Sequence, residues 1–117
     1  MIQEDSNKIT VRGRVWLDAG ENSFLGQGKI ELIEKIKELG SLRKAAIEMK
    51  MSYQKAWYNI DEINKAAGKP LVILKHGGKG GGIAQITETG EKAILIFKQL
   101  QEDFKTFVEE KTKNIEL

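Results

Sequence analysis

Ser41-Leu-Arg-Lys-Ala-Ala-Ile-Glu-Met-Lys-Met-Ser-Tyr-Gln-Lys-Ala-Trp-Tyr-Asn-Ile-Asp-Glu-Ile-Asn64 is the stretch on which the fold turns. Ser41 and Ser52 each stand where a helix would begin, and a serine hydroxyl can accept from the free N–H groups of a first turn. After Ser41, the residues Leu42, Ala45, Ala46 and Met49 recur at helical spacing. Lys50-Met51 breaks that pattern. After Ser52, Ala56, Trp57, Ile60, Ile63 and Ala67 fall on one side of a second helix, which Gly68 and Pro70 end. Trp57 is expected in the core, because it continues this inner face. Ala45, Ala46 and Ala56 are small enough for the two helices to cross closely. Two short helices joined by about three residues form a helix-turn-helix over about 41–67.

In such a motif the second helix can lie in the major groove of DNA, with its first residues at base edges. With Ala56, Ile60 and Ile63 inward, Gln54, Lys55 and Tyr58 point away from the core and Asn59 lies on the flank. Gln and Asn can pair with adenine, and Lys with guanine or phosphate. The hydroxyls of Ser41 and Ser52, with the adjoining first-turn amides, suit phosphate. A plain helical hairpin with a solvated polar face has the same spacing, so spacing alone does not choose.

Downstream, Leu71 to His76 reads as a strand, and Ile83 to Ile86 as its return. Between them Gly77-Gly-Lys-Gly-Gly-Gly82 strips side chains from the tip, so backbone could approach a groove or phosphate. A hairpin directly after the second helix, over about 71–87, is the wing of a winged helix. Lys75, His76 and Lys79 give it charge, and Arg43 and Lys44 add charge at the start of the first helix. A flexible solvated turn is the plainer alternative. A phosphate loop of the Walker type does not fit, because Lys79 is followed by Gly80 and not by Ser or Thr. Charge follows the same map: from Ser41 to Ile86 there are eight Lys/Arg against three Asp/Glu, although the whole chain carries only +2.

Upstream, residues 8–18 alternate Ile9, Val11, Val15 and Leu17 with polar residues, which predicts a half-buried strand. Gly13 on its apolar side marks a bulge or a close approach. Residues 19–26 read as a loop. Ile30, Ile33, Ile36 and Leu39 predict a helix over 28–39 ending at Gly40. At the other end Ala93, Phe97, Leu100, Phe104 and Phe107 follow spacings of 4, 3, 4 and 3 in a helix of about 87–111. Such a helix would be ~37 Å long, more than a ~90-residue domain easily covers, so the stripe is expected to pack on a second copy. A two-fold dimer would set two second helices about one DNA turn apart.

The expected fold is therefore α+β, mainly α. It is one winged helix-turn-helix domain over 1–117, with an N-terminal strand, a β-hairpin wing and a long C-terminal dimerisation helix. The chain's 117 residues fit one domain. No cysteine is present and His76 is the single histidine, which excludes a thiolate or histidine-cluster metal site. No nucleophile–base pair or apolar carboxylate pair is evident, so no enzyme and no cofactor is expected. No apolar run approaches the ~20 residues of a membrane span, and the polar start is not a secretory signal. A cytoplasmic protein fits these features. The rival to DNA is a winged helix whose second helix and wing bind a protein, for which Asp61 and Glu62 would suit.

Gly40 to Asn64, Pro70-Leu-Val, Gly77-Gly-Lys-Gly-Gly-Gly-Ile-Ala84 and the run from Ile86 to Glu91 resemble the N-terminal domain of the ModE family of bacterial molybdate-responsive transcription regulators. Met51-Ser-Tyr-x-x-Ala-Trp57 with the glycine wing is the most specific part, and the resemblance covers about residues 9–108. It implies a winged helix, double-stranded DNA as partner, contacts from Ser52, Tyr53, Gln54, Lys55 and Lys79, and dimerisation through terminal helices. Lys50 departs from the glycine usual in the family's turn, and a left-handed conformation there would cost ~1 kcal/mol. Family members also carry C-terminal molybdate-binding domains. The sequence given ends at Leu117, so no small-molecule effector site and no molybdate sensing are expected of it, although molybdenum-linked genes remain possible targets.

Overall fold

The computed structural model describes residues 7–76 and 82–117. Its elements are β1 (Leu17–Ala19), β2 (Asn22–Leu25), α1 (Gln27–Leu39), α2 (Leu42–Glu48), α3 (Tyr53–Ala67), β3 (Val72–Lys75), β4 (Ile83–Ile86) and α4 (Glu88–Lys113). β1 pairs antiparallel with β2, and β3 with β4, in two separate two-stranded sheets. This is the mainly helical winged-helix architecture that the sequence predicts.

Each boundary in the central motif has a local cause. Gly40 ends α1 in the left-handed region at φ 68, its N–H donating to the Ile36 carbonyl. Ser41 Oγ accepts from the Lys44 N–H at 3.1 Å and Ser52 Oγ from the Lys55 N–H at 3.0 Å. Between them Lys50 sits at φ 56, the one positive-φ non-glycine residue among those described. The turn thus keeps the glycine-like backbone at a lysine. Gly68 closes α3 at φ 74.

The core lies where α1, α2 and α3 meet the sheets and the start of α4. Ile30, Ile33 and Ile36 of α1, Ala45 and Ala46 of α2, Ala56, Ile60 and Ile63 of α3, and Leu71 and Val72 are all buried there. α4 adds Ile94 and Phe97. Small residues at 45, 46 and 56 bring α2 and α3 together as their spacing implies.

The wing is fastened at its base. The Ala84 N–H donates to the Gly40 carbonyl at 3.1 Å, and the Thr87 N–H to the Leu71 carbonyl at 3.0 Å. Thr87 Oγ1 also caps α4 by accepting from the Gly90 N–H at 3.0 Å. Gly90 is needed for closeness: a Cβ there would stand 2.4 Å from the Leu71 carbonyl oxygen.

Two upstream expectations are corrected. Residues 8–16 form no strand; only Leu17–Ala19 does, and its partner Asn22–Leu25 lies in the stretch expected to be a loop. The alternating apolar residues of this N-terminal arm find a helix and no strand edge. The Val11 N–H donates to Thr112 Oγ1 on α4 at 2.8 Å, and Gly13 lies so close to α4 that a Cβ would be 2.9 Å from Phe104 Cζ. Gly13 therefore marks a close approach.

The stripe on α4 is also corrected in part. Phe97 is fully buried in the chain's own core, so it cannot meet a second copy. Ala93 and Phe104 are half-buried, Phe104 beneath the arm. Leu100 and Phe107 are exposed, as are Leu95 and Ile96, which the spacing argument did not select. The covered side of α4 runs through Gly90, Ile94, Phe97, Gln101, Phe104 and Val108, the same spacing as the expected stripe but offset around the helix, so the two share only Phe97 and Phe104.

Candidate nucleic-acid interface

Because Ala56, Ile60 and Ile63 are turned inward, the opposite side of α3 is left uncovered. Ser52, Tyr53, Gln54, Lys55 and Tyr58 are exposed and Asn59 is half-buried. Arg43 and Lys44 are exposed in the first turn of α2, and Ser41 is half-buried at its cap. Lys75 and His76 are exposed at the end of β3. Lys79 lies outside the described residues. Ser41, Arg43, Tyr53, Trp57, Lys75 and His76 line a shallow groove of about 180 Å³ between the motif and the wing. Five of the residues singled out from sequence therefore share one groove, while Gln54, Lys55 and Tyr58 continue along α3 beside it.

Within this groove the Arg43 guanidinium stands 5.4 Å from the centroid of the Tyr53 ring, a cation–π contact that joins α2 to α3. Among the described residues Arg43, Lys44, Lys55 and Lys75 make no ion pair. The acids of α3 are occupied. Glu62 pairs with Lys29 at 3.5 Å and Asp61 with Lys65 at 2.9 Å, the latter contact raising the Lys65 pKa through its hydrogen bond and charge. The result is a surface whose uncommitted charge is positive and whose polar groups are solvated, which is what a polyanion meets favourably.

Trp57 is corrected: it is not core but 39 % exposed, lining the groove and packed edge-on to Tyr58 with centroids 5.5 Å apart. Its helical angle, ~100° from Ala56, puts it at the border of the inner face, where periodicity decides poorly. Asn64 was missed altogether. Its Oδ1 accepts from the N–H groups of Leu71 at 2.8 Å and Val72 at 3.3 Å, and its Nδ2 donates to the Val72 carbonyl at 2.9 Å. This one amide sets the base of the wing against α3. Nothing in the sequence beyond a polar residue near the inner face pointed to it.

No family model matches the chain. It is 33% identical over 93 residues to the molybdenum transport protein ModE of Azotobacter vinelandii, covering 80% of this chain and 34% of that relative. It is 31% identical over 78 residues to the transcriptional regulator ModE of Haemophilus influenzae (67% and 31% covered). It is 35% identical over 77 residues to the DNA-binding transcriptional dual regulator ModE of Escherichia coli (66% and 29%). The chain thus spans about a third of the length of the curated relatives it matches. Among solved structures, a LysR family transcriptional regulator superposes with TM-score 0.54 at 21% identity, over 74% of this chain and 28% of that one. The BenM_DBD/catB site 1 DNA complex gives TM-score 0.52 at 16% identity, over 74% of this chain and 90% of that one. These likenesses fix the fold as a winged helix.

Proposed function

Since the chain belongs to the ModE family through its winged-helix domain, we propose that it binds double-stranded DNA sequence-specifically and regulates transcription, with α3 in the major groove and the wing beside it. The observation that carries this reading is the uncovered side of α3 from Ser52 to Tyr58, with free cations around it and its acids already paired. The ModE relatives of Haemophilus influenzae, a transcriptional regulator, and Escherichia coli, a DNA-binding transcriptional dual regulator, support it. Arg43, Lys44, Lys75 and Lys79 supply phosphate contacts and hence most of the salt-sensitive affinity. Gln54, Lys55, Tyr58 and Asn59 supply base choice.

The protein acts as a homodimer in this reading. Leu95, Ile96, Leu100 and Phe107 present exposed apolar surface along α4, which a second copy can cover. A two-fold arrangement then spaces two copies of α3 about 34 Å apart on one face of the duplex. A protein-binding winged helix is disfavoured, because Asp61 and Glu62, the residues suited to it, are held by Lys65 and Lys29.

Selection of bound sequences from random duplexes supplies the site for the test. Against that site Lys55→Ala should weaken binding by about 1–3 kcal/mol and relax preference at one or two base pairs. Titration curves identical to the parent's on matched and mismatched duplexes would reject the role given to α3.

A further inference from the structure

On the flank of α3 away from the wing lies a second basic surface. Asn64 and Trp57 face the wing, whereas Glu62, about 160° around the helix from Asn64, is 3.5 Å from Lys29 in the first turn of α1. Lys29 lines an open groove of about 750 Å³ bounded by the N-terminal arm, the start of α1 and α4. Arg12, Arg14 and Lys105 line the same groove, and no Asp or Glu does. Gly13 is held against Phe104, and its neighbours Arg12 and Arg14 are exposed on either side of it. Neither arginine makes an ion pair among the described residues.

We propose that Arg12 and Arg14 contact the phosphate backbone on the side of the major groove opposite to the one the wing meets. This rests on the reading that α3 enters a duplex. A helix ~10–12 Å across fills a major groove ~12 Å wide, so both of its flanks come against a phosphate backbone. The wing with Lys75 and His76 serves one flank; the arm with Arg12 and Arg14 serves the other. Arginine suits the task, because its planar fork can donate twice to a phosphate without losing its charge. The groove has no acid to compete for these cations, and its one outside partner, Glu62, reaches only Lys29. The contact is sequence-independent, so it sets register and affinity and leaves base choice to α3.

The test uses the full chain and the duplex obtained by selection. Arg12→Gln with Arg14→Gln should weaken binding several-fold, equally on matched and mismatched duplexes. The slope of log affinity against log salt should fall by about 1–2, since each lost phosphate contact removes ~0.9. Phosphate-ethylation interference on the parent should mark phosphates on the far side of the α3 contact, and these marks should vanish in the double variant. An unchanged slope with unchanged interference overturns the proposal and leaves the α3 assignment standing. A change of oligomeric state in the double variant overturns it in favour of a groove that seats a second copy. A parent that binds no duplex, even at low salt, overturns both this and the function on which it rests.

Discussion

Asn64 is the residue whose removal tests how the interface is held. Asn64→Leu keeps a similar side-chain volume but leaves the Leu71 N–H, the Val72 N–H and the Val72 carbonyl without their side-chain partner. Both of those residues are buried, so water reaches the orphaned groups poorly. Each bond is worth ~1 kcal/mol net, and a buried donor left unmet costs ~1–3 kcal/mol. The three together give about 2–4 kcal/mol, reduced from a simple sum because the 3.3 Å bond is long. For a chain of this size ~1 kcal/mol moves Tm by ~4 °C, so melting should fall by about 8–16 °C. Asn64→Asp keeps the acceptor and loses the donor, and should lie between parent and Asn64→Leu. Urea unfolding followed by far-UV circular dichroism measures both, and the m value should stay unchanged. If Asn64→Leu unfolds within about 0.5 kcal/mol of the parent and binds the selected duplex equally well, the amide does not hold the wing and the reasoning fails.

Gly90→Ala should destabilise by about 2–4 kcal/mol, because the new methyl would stand 2.4 Å from the Leu71 carbonyl oxygen, a backbone atom that cannot swing aside; thermal melting reads this directly. Lys50→Gly should stabilise by about 0.5–1 kcal/mol in urea titration, since it removes the penalty of a Cβ at φ 56 and returns only part of it as chain entropy. Leu100→Glu with Phe107→Glu should yield a monomer in sedimentation velocity with little loss of melting temperature, whereas Phe97→Ala should cost about 3–5 kcal/mol of folding stability. A dimer that survives the first pair would remove α4 as the seam.

The helix-turn-helix was legible because local chemistry and tertiary packing agree there. Ser41, Ser52, Gly40 and Gly68 act within one turn of themselves, and the buried side of α3 repeats at 3.6 residues. The arm was not legible. Ile9, Val11 and Val15 alternate as a strand would, but a strand exists only where another backbone completes its ladder. Here the nearest partner is the side of α4, so the segment spends its hydrogen bonding on Thr112 and its close approach on Phe104. Phe97 misled for a related reason. A stripe at 4-3-4-3 spacing says which residues share a side of a helix, and says nothing about whether one's own chain or another covers that side.

The same division runs through the candidate site. Most of the exposed side of α3 could be read from its period, because exposure is the complement of a core that the sequence defines; Trp57, at the border of that core, could not. Nor could the residues that set this side against the wing. The hairpin's orientation depends on contacts distant in sequence: the Ala84 N–H on the Gly40 carbonyl, the Thr87 N–H on the Leu71 carbonyl, and the three bonds of Asn64. Each joins the base of the wing to a helix terminus or flank that the motif itself needs. Gly40 both ends α1 and receives β4, and Thr87 both caps α4 and receives Leu71. Wing and α3 are therefore fixed to a common frame by residues that carry a second, local duty. It follows that the angle between them is a property of α1, α3 and α4 as much as of the hairpin, and that substitutions at positions 40, 64 and 87 should disturb binding without touching the groove's own side chains.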